Sequence, residues 1–360
     1  MHLFPPGMAG LETRMDIAEF ARKIPKAELH VHLEGAILPG TLAELANKYN
    51  VELPPHDEVT DLYDYKDLAD FLTIYAQAAK CVREVEDFRR ITFECLAASA
   101  AGGGRYMELF FSPGAHLDYG VSYSTMLTGI LEGMKDAEAD SGIFSRLIPA
   151  HNRELGPEKG MAFLDMVLTE KPDEVIGIGL DYDEAPYPPA PYKEMYERAR
   201  AAGLHVTAHA GESGPAENVR NSLDILGCER IDHGYHVVDD AALVAQCKAA
   251  GTHFTCCPST TVYTTIWKDL TAADHPIRVM QEAGLNISLN TDDPPMMHTN
   301  IAREYLIGAR DFGFTPETLK EISLNSVRAS WLDGERKAAL TSEWSAEIDG
   351  LIETLEPVNA

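Results

Sequence analysis

The sequence predicts an α/β fold, a closed (β/α)8 TIM barrel with a helical insertion after its first strand. Short β-type runs alternate with stretches that are rich in Ala, Leu, Glu, Lys and Arg and have helical periodicity. Repeated strand–helix units indicate a parallel sheet, and eight of them in 360 residues indicate a closed barrel. The predicted strands are Ala27–Glu34, Tyr106–Ser112, Ser145–Ala150, Val175–Leu180, His205–His209, Arg230–His233, His253–Cys257 and Asn286–Asn290.

The connection between the first two strands, residues 35–105, is unusually long. A βα connection of this length usually carries function, such as a lid over the site. Its apolar residues Phe71, Leu72 and Tyr75 are suited either to closing over a flat substrate or to packing the insertion against the barrel. The helices predicted in this connection are Pro39–Tyr49, Tyr65–Lys80 and Glu84–Ala101.

Composition limits the partners of the chain. The formal net charge is −27, and so acidic a surface repels the phosphate backbones that bind through Lys and Arg. We therefore expect neither nucleic acid nor an anionic membrane as a partner. No apolar run approaches the ~20 residues of a membrane span. A small-molecule substrate fits this composition, and the oligomeric state, including a homo-oligomer, is left open.

Cysteine usage and the N-terminal segment bear on compartment and domain organisation. The six cysteines include no CxxC pair and do not suggest a disulfide framework in a chain of this length. This predicts a reducing, cytoplasmic location. Residues 1–14 have no apolar h-region and carry an early Pro-Pro-Gly. We therefore expect a loose N-terminal tail, followed by one domain over residues 15–360.

Histidines and a carboxylate fall where the predicted strands end. His30 and His32 are two residues apart on the first strand and therefore share a face. His209 ends the fifth strand, and Glu212 follows it in a turn, where a carboxylate can act as a general acid or base. His233 ends the sixth strand. Each of these residues alone fits a hydrogen-bonded or helix-capping role as well.

The eighth strand is followed by Asp292 and Asp293. Adjacent carboxylates are costly there unless one binds a cation and the other a donor, and an exposed Asp-Asp-Pro turn is the ordinary alternative. The combination of motifs favours an active site over separate structural roles, because all of them fall at the C-terminal ends of strands one, five, six and eight. Barrel enzymes place their sites on that rim. Three imidazoles and one carboxylate suit one Zn²⁺ with water completing the shell.

These segments resemble the adenosine/adenine deaminase family of the amidohydrolase superfamily over most of the chain. The motifs that carry the resemblance are Pro25-Lys-Ala-Glu-Leu-His-Val-His-Leu-Glu-Gly35, His209-Ala-Gly-Glu212, Arg230-Ile-Asp-His-Gly234 and Asn290-Thr-Asp-Asp-Pro294. The resemblance implies a hydrolase that removes the 6-amino group of a purine as ammonia, with one zinc ion per chain.

The resemblance also implies a role for each motif residue. It makes Glu212 the proton shuttle to N1 of the purine, places His233 beside the attacking water, and puts Asp293 at N7. The zinc ligands that it implies are His30, His32, His209 and Asp292.

The substrate subgroup depends on residues around the base. Adenosine deaminases usually carry HxHLDG, whereas this chain has the longer Glu34, as the adenine deaminases do. Glu34 would intrude on the ribose and accept a hydrogen bond from free adenine instead. The segment Gly179-Leu-Asp-Tyr-Asp-Glu184 resembles the adenine subgroup's GLDSSE, although Tyr182 and Asp183 replace its serines.

We therefore expect conversion of adenine to hypoxanthine as the preferred reaction. Conversion of adenosine to inosine and deamination of an N6-modified adenine are the alternatives. The substrate contacts that this interpretation predicts are Glu34, Gly179, Asp181, Tyr182 and Asp293.

Other function classes are disfavoured by particular residues. Many amidohydrolases of other types hold two metals and need a carboxylated Lys on the fourth strand, and Val175–Leu180 has none. A non-catalytic binder would be expected to lack a ligand or Glu212, and none is missing. Cytidine-type zinc deaminases use a PCxxC run. Cys256-Cys257-Pro258 does not match it, so we expect these cysteines in the core.

Overall fold

Eight parallel strands form one barrel in the computed structural model, which describes residues 15–65 and 68–356. Each strand is hydrogen-bonded to the next in sequence order. The predicted fold is confirmed. The strands are β1 (Lys26–His32), β2 (Gly104–Phe111), β3 (Phe144–Asn152), β4 (Gly177–Asp181), β5 (His205–Ala210), β6 (Arg230–His233), β7 (His253–Cys256) and β8 (Asn286–Leu289).

The barrel closes between β1 and the residues that follow β8. Val31 forms a parallel bridge with Asp292. The backbone N–H of His32 donates to the carbonyl of Asp292 at 2.8 Å, and the N–H of Asp292 donates to the carbonyl of His30 at 3.0 Å. The seam of the barrel therefore runs through two of the sequence motifs, the one that contains His30 and His32 and the one that contains Asp292.

The fourth strand begins later than predicted. Val175 makes only an isolated bridge to Leu147, and regular pairing starts at Gly177. The N–H of Val175 donates to the carbonyl of Pro172 at 3.0 Å. This hydrogen bond closes a turn, so the chain at Val175 has not yet become an extended strand.

Helices cover the barrel and build the insertion. The insertion contains α2 (Pro39–Tyr49), α3 (Leu68–Cys81) and α4 (Val85–Ala101), which correspond to the three predicted helices. Residues 66–67 of the second predicted helix and the predicted tail 1–14 lie outside the described residues. The other helices are α1 (Ile17–Lys23), α5 (Gly114–Leu117), α6 (Tyr123–Ser141), α7 (Pro157–Thr169), α8 (Lys193–Ala201), α9 (Ala216–Asn221), α10 (Ala241–Ala250), α11 (Pro258–Thr264), α12 (Pro276–Glu282), α13 (Ile301–Arg310), α14 (Pro316–Ala329) and α15 (Gly334–Glu353).

Local sequence signals set the ends of the insertion helices. Pro39 occupies the first turn of α2, where its missing N–H costs no hydrogen bond. Asn50 ends this helix in the left-handed conformation, with φ 54°. The side chains of Glu84 and Asp87 form a reciprocal capping box at the start of α4.

The N-terminal end of the barrel is filled by paired charges. The guanidinium of Arg230 is ion-paired with Glu108 and lies 3.9 Å from the ring centroid of Trp331. The ammonium of Lys26 donates to the carbonyl of Ile24 at 2.6 Å. These buried charges have their partners within the protein, so this end of the barrel is structural.

The cysteines lie in the protein interior, as expected for Cys256 and Cys257. All six cysteines are buried and unpaired, including Cys256 and Cys257. Over the part of the chain that the structure describes, no helix combines the length and the apolar character needed to cross a bilayer.

Candidate metal and substrate site

Four ligand atoms converge at the C-terminal rim of the barrel. The Nε2 atoms of His30 and His32 lie 3.3 Å apart, and those of His32 and His209 lie 3.1 Å apart. Asp292 Oδ1 lies 3.1 Å from Nε2 of His30 and 3.4 Å from Nε2 of His32. All four side chains are buried. The structure thus brings together the four residues that the resemblance names as metal ligands.

The spacing of these atoms fits a single divalent cation. Four tetrahedral ligands at about 2.0–2.1 Å from a zinc ion stand about 3.3–3.4 Å from one another, close to the separations of this cluster. Imidazole nitrogens with a carboxylate oxygen are also a donor set that zinc prefers. The buried cluster is therefore suited to a divalent metal.

Asp232 lies behind two of the imidazole rings and is within reach of one of them. His30 Nδ1 lies 3.4 Å from one oxygen of Asp232 and 3.0 Å from the hydroxyl of Thr255. His209 Nδ1 lies 3.8 Å from the other oxygen. Burial opposes ionisation of Asp232, but its hydrogen bond with His30 holds the pKa of this carboxyl below its usual range. Such partners fix the orientation of ligand rings.

Sequence reasoning assigned Asp232 no function. The available signal was its spacing, because a carboxylate two residues after Arg230 on a strand must share the inward face with it.

Three residues of the rim have left-handed backbone. Tyr182 follows β4 with φ 66°, His233 ends β6 with φ 65°, and Asp292 follows β8 with φ 61°. Side chains other than glycine rarely adopt this region, and such strain gathers at functional sites. All three of these side chains line one cavity.

Glu212 and His233 face the ligand cluster from the ends of β5 and β6. The Oε2 atom of Glu212 lies 3.7 Å from Nε2 of His233, and its Oε1 atom accepts a 2.6 Å hydrogen bond from the hydroxyl of Thr264. His233 Nε2 is 3.8 Å from Oδ2 of Asp292, and its Nδ1 is 3.1 Å from the Tyr235 hydroxyl. Both residues are therefore held beside the metal-ligand cluster by contacts of their own.

The loop that carries Glu212 is fixed by the buried carboxylate of Glu184. This carboxylate accepts hydrogen bonds of 2.6–3.2 Å from the backbone N–H groups of residues 211–214. It also accepts a 2.9 Å hydrogen bond from the amide of Asn218. Sequence reasoning quoted Glu184 only as the end of a motif, because nothing in its spacing points to a loop on the next strand.

Asp293 is packed against Gly35. A Cβ atom on Gly35 would lie 1.6 Å from Oδ1 of Asp293, so only glycine leaves room for this carboxyl group. Burial and the neighbouring Asp292 raise the pKa of Asp293. Among the residues that the structure describes, Oδ1 of Asp293 has no hydrogen-bond partner.

A cavity opens beside the metal-ligand cluster. Phe71, Leu72 and Tyr75 of α3 line it, so the insertion contributes to its wall, as the lid interpretation requires. The ring of Tyr182 stands at a right angle to that of Tyr75, with centroids 6.0 Å apart. The other lining residues are His32, Asp181, Asp183, Glu184, His209, Glu212, Ser213, His233, Thr264, Asp292 and Asp293.

Glu34, one of the expected substrate contacts, is not among the residues that line this cavity. Its Oε1 atom accepts a hydrogen bond from the N–H of Ser112 at 3.0 Å and lies 3.0 Å from Nε2 of His116. The hydroxyl of Tyr75 donates to Oε2 at 3.4 Å. Burial opposes ionisation, but His116 lowers the pKa of Glu34. The carboxylate is therefore engaged within the protein, behind the cavity wall.

Asp181 lines the cavity, whereas Gly179 does not. A Cβ atom on Gly179 would lie 2.7 Å from the ring of Phe110, which places this glycine inside the barrel core. Asp181 ends β4 with one carboxyl oxygen accepting a hydrogen bond from the hydroxyl of Ser112. Burial and the nearby Glu34 raise the pKa of Asp181 to about 7.

Comparison with known proteins places this chain in one family. A family model described as adenosine deaminase matches residues 25–347. The adenine deaminase of Sphingopyxis alaskensis is 37% identical over 336 residues, covering 93% of this chain and 97% of that protein. The adenine deaminase of Streptomyces coelicolor is 37% identical over 328 residues, covering 91% of this chain and 95% of that protein.

Solved structures of similar chains agree with the barrel. The adenine deaminase from Arthrobacter aurescens superposes with a TM-score of 0.85 at 33% identity, covering 90% of this chain and 99% of that chain. An amidohydrolase from Burkholderia ambifaria with bound Zn superposes with a TM-score of 0.89 at 36% identity, covering 94% of this chain and 95% of that chain.

The Glu184 contacts lead to a prediction about the loop 211–214. In Glu184→Gln, one carboxylate oxygen becomes an NH2 group that faces backbone donors, so the loop should loosen. We expect amide hydrogen exchange at residues 211–214 to accelerate at least about tenfold, and the free energy of unfolding to fall by about 1–3 kcal/mol. Unchanged protection of these amides from exchange would show that Glu184 does not hold the loop. The exposed Glu197→Gln is the matched control and should change neither quantity.

Proposed function

The chain belongs to the adenosine deaminase family, and from this premise we propose that it hydrolyses free adenine to hypoxanthine and ammonia. The observation that carries the proposal is a convergence on one cavity. A buried cluster of three histidines and one aspartate meets Glu212, His233 and Asp293 there. This set combines a metal site, a proton-transfer group and a polar contact for the base within one pocket.

We propose one zinc ion per chain in the four-ligand cluster. When bound, zinc supplies Lewis-acid chemistry that makes water nucleophilic near neutral pH. The donor set and the ligand spacing support zinc, as does the bound Zn in the related amidohydrolase. The fourth strand has no Lys to bridge a second metal, which supports a single ion. The proposed ligands are His30, His32, His209 and Asp292.

The other site residues would bind the base and move protons. Glu212, fixed by Thr264 and by the loop 211–214, would deliver the proton to N1 and so make C6 electrophilic. His233 lies between Glu212 and Asp292, where its Nε2 atom would orient the attacking water. Asp293 would contact N7 as a hydrogen-bond donor from a protonated carboxyl group, since burial and the neighbouring Asp292 raise its pKa.

Two observations support the free base as substrate. The first is the similarity of the chain to the relatives from Sphingopyxis and Streptomyces, which are both adenine deaminases. The second is the shape of the wall, where Phe71, Tyr75 and Tyr182 are aromatic and suited to a flat ring. The nucleoside and N6-modified adenines are the alternatives, because Tyr182 and Asp183 depart from the subgroup pattern.

A substrate comparison tests the proposed reaction. We expect kcat/KM for adenine to exceed that for adenosine by at least about tenfold. A ribose must displace aromatic side chains of the cavity wall, and the nucleoside lacks the N9–H donor of the free base, so a buried acceptor stays unpaired. Adenine, adenosine and N6-methyladenine are assayed side by side by the loss of purine absorbance. A higher value for adenosine would refute the free-base proposal. A higher value for N6-methyladenine would move the assignment to a modified adenine.

Substitution of Glu212 tests the proton-transfer role. Glu212→Gln should lower kcat/KM for adenine by about 10²–10⁴-fold, because an amide cannot deliver the proton to N1. The metal content should stay unchanged, since Glu212 is not a proposed ligand. The side chain of Glu217 is 63% exposed on α9, and Glu217→Gln is a control that should keep near-normal activity. Near-normal activity of Glu212→Gln would exclude it from the mechanism, and loss of metal would make it a ligand.

A further inference from the structure

One residue of the cavity wall has a carboxyl oxygen that the proposed chemistry does not use. Asp181 lines the cavity and is 2% exposed. Its Oδ2 atom accepts a hydrogen bond from the Ser112 hydroxyl. Its Oδ1 atom is buried and has no hydrogen-bond partner anywhere in residues 15–65 and 68–356. Buried acceptors are seldom left unpaired in folded proteins. A donor on a bound ligand would therefore satisfy this oxygen.

The order of the strands around the barrel shows which edge of the base would reach Asp181. Glu212 follows β5 and Asp293 follows β8. A purine with N1 toward Glu212 and N7 toward Asp293 presents its N3–N9 edge to the opposite arc of the rim, from β1 to β4. Asp181 ends β4 and faces the cavity on that arc. In free adenine this edge carries an N–H donor at N9.

We infer that Oδ1 of Asp181 accepts the hydrogen bond from N9–H of free adenine, so that Asp181 selects the base over the nucleoside. This inference rests on the proposed function. A glycosidic bond removes the N9 hydrogen and places a carbon atom against the carboxylate oxygen. The nucleoside therefore loses a hydrogen bond and leaves the buried oxygen unpaired.

Glu34 is less suited to this role than Asp181. His116 and the N–H of Ser112 already engage one oxygen of Glu34, and Tyr75 covers the other. Ser112 contacts both carboxyl groups, through its N–H to Glu34 and its hydroxyl to Asp181. Glu34 thus helps to position Ser112, and Ser112 orients Asp181 with one oxygen free for the ligand.

The test compares adenine with 9-methyladenine, which lacks the N9 hydrogen. In Asp181→Asn the side chain keeps its size and can present an NH2 group to N9–H. We expect kcat/KM for adenine to fall about tenfold to hundredfold, and the value for 9-methyladenine to change less than about threefold. If 9-methyladenine turns over too slowly, its Ki as a competitive inhibitor replaces kcat/KM. An equal loss for both compounds, or no loss for adenine, would overturn the inference.

Two further variants sharpen the test. Ser112→Ala removes the hydroxyl that orients Asp181. It should lower kcat/KM for adenine less than Asp181→Asn does, and again more for adenine than for 9-methyladenine. Glu34→Gln should affect adenine and 9-methyladenine equally, and an adenine-specific loss in this variant alone would assign the N9 contact to Glu34. Metal content and melting temperature are measured for every variant. If the unmodified enzyme does not deaminate adenine, the proposed function itself has failed, which is a distinct outcome.

Discussion

The site depends on the seam at which the barrel closes. The backbone of Asp292 is hydrogen-bonded to the backbones of His30 and His32, so three of the four ligands are placed by the closing strand contacts. The fourth, His209, is paired in register with Asp232 on β6, and Asp232 lies behind the ring of His30 as well. Side chains fixed by sheet register have little freedom to move, which is the requirement for a preorganised metal site. Closure of the barrel therefore brings three of the four residues of the cluster together.

The buried carboxyl groups around the rim form two classes, which differ in their hydrogen-bond partners. Some have donors within the protein and serve the structure, since their charges are balanced where they lie. Others line the cavity and keep one oxygen unpartnered among the described residues. The first group is Glu34, Glu184 and Asp232, and the second is Asp181 and Asp293. A strongly acidic rim can in this way stabilise its own loops and still leave two carboxyl groups at the cavity for the proposed substrate.

Most of the fold was predictable from local patterns, whereas the set of four proposed metal ligands rests on the family resemblance. The alternation of strands and helices gave the barrel, and the spacing of His30 and His32 placed both on one face of β1. The contacts of Glu34 could not be predicted, because its partners Ser112 and His116 follow β2 and lie 78 and 82 residues away in the sequence. No local pattern encodes that contact.

The same reason explains the residues that sequence reasoning missed. Glu184 acts on residues 211–214, and Asp232 acts on a ring from β1, so each shows its role only once the strands are adjacent. The start of β4 was misplaced because Val175 has a strand-forming side chain in a position that the hydrogen bond to Pro172 makes a turn. Residues that act across strands need the three-dimensional structure, whereas residues that act at their own strand end do not.

The central claim is a single metal held by the residues of the seam, and anomalous diffraction at the zinc absorption edge tests it most directly. Crystals of the protein as purified should show one anomalous peak, within bonding distance of His30, His32, His209 and Asp292. A second candidate group among the described residues, His233, Cys257 and Asp292, lies close by. A main peak on that group, two peaks of similar height, or no peak at the four-ligand cluster would contradict the account.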